Sequence, residues 1–169
     1  MTLFEYLKIK SSDINEHLET LKNLASECDH VTEMGVRYIV STWAFVEGMK
    51  GGTLVSIDIK HPKEYGGDLD SLVKACKDKG IDFTFREADT TKIKIDKTDL
   101  LFIDTDHTYK QLETELKIHA GSVRKYIVIH DTVSCETELM PAINEFLESG
   151  VWRVKEHYKN NNGIMILMR

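Results

Sequence analysis

The chain has 169 residues, a formal net charge of −6 and 30% charged residues, the profile of one globular domain with a real core. The acidic balance argues against strong electrostatic binding to nucleic acid or to an anionic membrane. No apolar run approaches the roughly 20 residues that span a bilayer. The opening MTLFEYLKIKSSD carries acid early and has no long apolar centre, so the cytosol is the expected compartment. Cys28, Cys76 and Cys135 are odd in number and far apart, which indicates reduced thiols rather than a disulfide framework or a zinc knuckle.

In chain order, a short helix is expected around Leu3 to Ile9. An amphipathic helix follows from about Ser12 to Ala25, with Ile14, Leu18, Leu21 and Leu24 on one face and Ser11 or Ser12 as its cap. Short runs rich in β-branched and aromatic residues then read as strands: HVTEMGV, TLVSIDI, DFTFREAD, DLLFIDT and YIVIHDT. Helical patterns separate them. One starts after Asp68, carries Leu69, Leu72, Val73 and Cys76, and stops at Gly80. Another follows His107 with Tyr109, Leu112 and Leu116, and a third has Pro141 near its start. Such alternation predicts a doubly wound parallel sheet with helices on both faces. WRVKEHY and GIMILMR flank KNNN and the turn signal Asn162-Gly163, which adds an antiparallel C-terminal hairpin and brings the total to seven strands. The expected organisation is a single domain over 1–169, with N-terminal helices in 1–29 and the core in 30–169.

Ligands of open parallel sheets bind beyond the carboxyl ends of the strands. Five successive strands here end in acid: Glu33, Asp58, Asp89, Asp104 with Asp106, and Asp131. Any single one reads as readily as a helix cap or a solvated turn residue. Asp58 follows Gly35 by 23 residues, near the spacing of a ribose-binding acid. The turn EMGVRYIVST has one glycine and no G-x-G-x-x-G. Ile39 and Val40 would obstruct a pyrophosphate, so a ligand with adenosine and no phosphates fits better.

EMGVRYIVST, SIDI, READ, FIDTDHTYKQLETEL and YIVIHDT together resemble the successive motifs of class I S-adenosylmethionine-dependent methyltransferases. The likeness is greatest to the small-molecule O-methyltransferase subgroup that includes macrocin O-methyltransferase and the cephalosporin hydroxylase-like proteins. The resemblance implies a Rossmann-like sheet and S-adenosylmethionine as cofactor. Glu33 and Gly35 would line the cofactor's amino-acid end, and Ser41 would contact its carboxylate at a helix start. Asp58 would hold the ribose hydroxyls, Ala88 and Asp89 would flank the adenine, and Asp104 would sit beneath the methyl. Two positions depart from the family: Ile39 stands where a glycine is common, which bears on the methionine pocket, and Thr105 replaces the glycine of Asp-Gly-x-His.

A hydroxyl acceptor must lose its proton or have its pKa lowered. Asp104 or Asp106 with Asp131 would suit Mg²⁺, and His130 would join them for a transition metal. His107 would serve as general base, beside Asp104. His17, His30, His61, His119 and His157 read as surface or boundary residues. The expected function is methyl transfer to a hydroxyl of a small molecule such as a sugar or secondary metabolite. The rivals are a non-catalytic S-adenosylmethionine or adenosine binder and a nicotinamide dehydrogenase. A nucleic-acid partner is not expected. Leu3, Phe4, Tyr6 and Leu7 leave two roles open for the N-terminal helices, a homo-oligomer contact or a cover for the chain's own cleft.

Overall fold

A computed structural model describes residues 1–169. Five parallel strands, β1 (His30–Met34), β2 (Gly52–Asp58), β3 (Ile81–Glu87), β4 (Thr98–Ile103) and β5 (Val123–His130), join β6 (Arg153–Tyr158) and β7 (Ile164–Met168) in one seven-stranded sheet. The order is β3-β2-β1-β4-β5-β7-β6, and β7 runs antiparallel to both neighbours. The expected doubly wound architecture is therefore present, with the C-terminal hairpin returning so that the last strand lies inside the sheet. The order reverses between β1 and β4, and a crevice opens at such a switch point.

Alternate side chains of each strand go to opposite faces. Val31, Leu54, Leu100, Phe102 and Val128 pack against α2 (Leu18–Ala25), α3 (Val40–Gly48) and α4 (Leu69–Asp78), with Phe4 of α1 (Leu3–Ile9) beneath them. Ile57, Leu101, Ile103, Ile127 and Ile129 pack against α5 (Tyr109–His119) and α6 (Glu136–Leu147). β4 is buried on both faces, as its unbroken apolar run requires. No helix is long and apolar enough to cross a membrane.

Four local expectations differ from the structure. Residues 12–14 are not helical: the Ser12 N–H donates to Asn15 Oδ1, the Ile14 N–H to Ser12 Oγ, and a single 3₁₀ turn at Asn15–His17 precedes α2. Side-chain acceptors here compete with the helix for backbone donors. Pro141 lies inside α6, which starts earlier, at Glu136, and Val73 on α4 faces solvent. His17 and His119 are fully buried rather than at the surface. The Nε2 of His17 reaches the Asn160 and Asn161 carbonyls, and that of His119 reaches the Thr90 carbonyl.

Candidate functional site

The crevice starts at Gly35, directly after β1. Its φ is +84°, and a Cβ there would lie 1.9 Å from the Asp104 carbonyl oxygen, so β1 and β4 approach this closely only with glycine. Arg37 and Ile39 also have left-handed backbone, at φ 43° and 57°. That conformation costs a β-branched residue about 1–3 kcal/mol. Ile39 is 3% exposed and belongs to the core, so its side chain turns away from the crevice. The turn presents Val36, Arg37, Tyr38, Val40 and Ser41 instead.

Glu33 lies below this turn, fully buried, and does not line the cleft. Its carboxylate accepts from Ser41 Oγ at 2.5 Å, Thr42 Oγ1 at 2.8 Å and Ser56 Oγ at 2.6 Å. Burial pushes its pKa up to about 7 against these three donors. Ser41 borders the cleft, but its proton is committed to Glu33.

Asp58 ends β2 and organises the turn. Its Oδ2 accepts from the N–H groups of Val36 (2.7 Å) and Arg37 (3.0 Å), and its Oδ1 from that of Lys60 (3.0 Å). Ala88 sits beside it, with its N–H on the Asp58 carbonyl. Asp89 accepts from Thr91 Oγ1 at 2.6 Å and Lys92 Nζ at 2.8 Å, and the ammonium and hydroxyl hold its pKa down at about 2. A buried acid that sequence reading passed over, Glu115, binds Thr90, Thr105 (2.8 Å) and Gln111 (2.8 Å). Thr105 thus ties the end of β4 to α5. The signal for Glu115 was present: it is an acid on the apolar stripe beside Leu112 and Leu116.

Acids and imidazoles converge at the ends of β4 and β5. His107 Nε2 lies 3.3 Å from Asp104 Oδ1 and 2.9 Å from Asp131 Oδ2. His130 Nδ1 lies 3.3 Å and 3.1 Å from the same two oxygens, and its Nε2 donates to the Asp13 carbonyl at 3.0 Å. Acceptors at both nitrogens require two N–H groups, so His130 is an imidazolium. Burial disfavours that charge, but Asp104 and Asp131 outweigh it and raise the pKa to about 10. The same carboxylates raise His107 to about 10. Asp131, despite burial, is driven well below the usual carboxylate range, and Asp104 is lowered too. One atom each of Asp104, His107 and Asp131 lie within 4.8 Å of one another, a set able to hold a metal ion. Asp106 is exposed, meets only Thr108 at 3.4 Å, and stands outside this set, as does His130. Thr108, not Asp106, caps α5.

These groups border one cleft of about 720 Å³, within the roughly 300–1,000 Å³ usual for small-molecule sites. Gly35, Ser41, Asp58, Ala88, Asp89, Asp104, Asp106, His107 and Asp131 all border it, and Tyr65 of the turn after β2 adds a wall. Ser12, Asp13 and Ile14 close the remaining side, so the N-terminal segment covers the chain's own cleft.

No protein-family model matches the sequence, and no curated protein does. Solved structures do match in fold. A putative caffeoyl-CoA O-methyltransferase from Staphylococcus aureus superposes with TM-score 0.72 at 12% identity, over 100% of this chain and 93% of that one. An O-methyltransferase from Bacillus cereus in complex with SAH gives 0.61 at 14% identity, over 97% and 84%. The N-methyltransferase NodS from Bradyrhizobium japonicum, in complex with S-adenosyl-L-homocysteine, gives 0.60 at 12% identity, over 98% and 94%. The chain has the Rossmann-like fold these methyltransferases share. The finer likeness to the macrocin subgroup rests on its sequence motifs alone.

Proposed function

We propose that the protein transfers a methyl group from S-adenosylmethionine to a hydroxyl of a small molecule. The observation that carries this reading is the cleft itself, in which a glycine turn, Asp58 and Asp104 meet at the switch point of a sheet shared with S-adenosylhomocysteine-bound methyltransferases. The donor set fits the cofactor. Gly35 borders the cleft and lets the end of β1 close against the Asp104 backbone, and Asp58 borders the cleft at the end of β2, where a ribose-binding acid would stand. Ala88 and Asp89 border the adenine end.

When bound, the cofactor supplies an electrophilic methyl on sulfur. The chain's residues orient the acceptor and manage its proton. Asp104 and Asp131 are the carboxylates at the reaction end, and His107, 37% exposed in its side chain, is their neighbour open to the cleft. His107 is held protonated near neutral pH by its two carboxylates, which weighs against a general-base role. A divalent cation held by Asp104, His107 and Asp131 is the reading their placement supports; its binding would displace the His107 proton, and it would lower the pKa of a hydroxyl. His130 is spent on the Asp13 carbonyl and the two carboxylates.

Calorimetric titration with S-adenosylhomocysteine tests the cofactor reading. Micromolar binding, lost in Asp58→Ala, supports it, and no binding by the wild-type protein overturns it. Methyl transfer from labelled S-adenosylmethionine to a panel of hydroxylated and amine acceptors, with Mg²⁺, Mn²⁺ or a chelator, then tests the acceptor and the cation. Turnover of hydroxyl acceptors that the chelator abolishes is the expected result.

A further inference from the structure

Six aspartates border the cleft: Asp13, Asp58, Asp89, Asp104, Asp106 and Asp131. Against them stands a single lysine or arginine, Arg37. A ligand that carries a carboxylate therefore meets one permanent side-chain cation. Of the residues that the resemblance assigns to the amino-acid end, Gly35 and Ser41 border the cleft, while the side chains of Glu33 and Ser41 are engaged with one another. Glu33 is buried beneath the floor and accepts from three hydroxyls, that of Ser41 among them.

Arg37 is ion-paired with Asp13 across the cleft wall. The two come from distant parts of the chain, and each is placed by its own device. Arg37 is set by left-handed backbone and by its N–H on Asp58. Asp13 lies on the non-helical segment before α2, which is strapped down along its length. Its carbonyl takes the His130 Nε2 hydrogen bond at 3.0 Å. The Ser12 carbonyl accepts from Asn161 Nδ2 at 2.8 Å, and the Glu16 N–H donates to Asn161 Oδ1 at 3.0 Å. The Glu16 carboxylate accepts from Asn160 Nδ2 at 2.6 Å. A surface ion pair alone is worth little. A pair presented into a cleft by a strap this heavily fixed is preorganised.

From this arrangement we infer that Asp13 and Arg37 form a receptor for an α-amino-acid zwitterion and hold the amino-acid end of the nucleoside ligand. The ligand carboxylate takes Arg37, the ammonium takes Asp13, and each protein charge exchanges one partner for a closely matched one. The inference rests on the S-adenosylmethionine reading and assigns to the N-terminal strap a binding role beyond that of a cover.

Three ligands separate the outcomes: S-adenosylhomocysteine, its decarboxylated analogue, and methylthioadenosine, which keeps the nucleoside thioether and lacks the amino acid. Titrations use the full chain and the variants Arg37→Asn, chosen because asparagine tolerates left-handed backbone, and Asp13→Asn. Thermal melts confirm folding of each. The expected result is a loss of about tenfold or more in S-adenosylhomocysteine affinity for each variant, the scale of a charge-assisted hydrogen bond, with methylthioadenosine unchanged. The decarboxylated analogue should respond to Asp13→Asn and ignore Arg37→Asn. Equal affinity of the wild-type protein for S-adenosylhomocysteine and methylthioadenosine, or variants that weaken both alike, overturns this inference and leaves the cofactor reading standing. Wild-type protein that binds none of the three overturns both.

Discussion

The two halves of the cleft handle buried acid in different ways. Around β1 to β3, Glu33 and Asp58 are neutralised by hydroxyls and backbone N–H groups. Around β4 and β5, Asp104 and Asp131 face His107 and His130, whose pKa values the two carboxylates raise to about 10. Dipolar donors fix shape without adding charge, so the first half is a rigid mould. Imidazoles can gain and lose protons or yield to a cation, so the second half can change its charge. Under the proposed function, recognition and reaction chemistry would be separated across the switch point.

The largest effect belongs to the mould. Gly35→Ala places a methyl 1.9 Å from the Asp104 carbonyl oxygen at a φ of +84°. It should cost at least about 3 kcal/mol from overpacking and backbone strain together. Denaturant unfolding measures this, and a variant within experimental error of wild type would show that the two strands can part freely.

His130→Ala comes next, since it removes one imidazolium from a buried pair of carboxylates and the tether of the strap. A loss of about 3 kcal/mol is expected, the scale for breaking a buried ion pair. The sign of the pH effect follows from the raised pKa. Unfolded histidine titrates near 6.5, so the stabilisation is complete below that and is lost as pH rises toward about 10. Unfolding free energy of the wild type should fall across that window, and the variant should show a shallower slope.

Glu33→Gln should cost about 1–3 kcal/mol, because one of its hydroxyl donors meets an amide nitrogen instead of an oxygen. The Glu33 pKa is about 7 in the fold against 4.5 unfolded, so ionisation of the unfolded chain erodes wild-type stability as pH rises from about 4.5 to 7. Melting temperatures taken across that range should fall for the wild type and flatten for the variant. Identical slopes would mean that the three hydroxyls keep Glu33 ionised throughout.

The smallest effect is Asn161→Ala, which removes the Ser12 and Glu16 contacts at a cost of about 1–2 kcal/mol. Hydrogen exchange should rise in residues 12–17 and stay unchanged in β4. Faster exchange in β4 would show that the strap is coupled to the core rather than laid over it.

The alternation of short apolar runs with amphipathic stretches determined the sheet, its helices and its antiparallel end, because periodicity is a local property that burial then enforces. Asp58 and the glycine turn were legible for the same reason: each sits at a strand exit, where polar residues have no core to enter. The strap was not legible. Ile14, Leu18 and Leu21 keep helical spacing, yet the Ser12 N–H donates to Asn15 Oδ1, the Ile14 N–H donates to Ser12 Oγ, and Asn160 and Asn161 hold the segment from the far end of the chain. The four-group cluster was only half visible. Sequence placed acids and histidines at the ends of β4 and β5, but which nitrogen faced which oxygen depended on the turns that follow those strands, with Asp131 at a φ of 59°.

What the sequence determined by itself is the order of elements and the gathering of acid along one edge of the sheet. Tertiary structure decided which acids are spent. Glu33 was buried under hydroxyls, Glu115 was drawn in to tie Thr105, and Asp13 was brought 24 positions back along the chain to face Arg37. The physical reason is that a carboxylate's role depends on the donors around it, and those donors arrive from elements far apart in sequence, whereas a strand or a helix is written in its own neighbours.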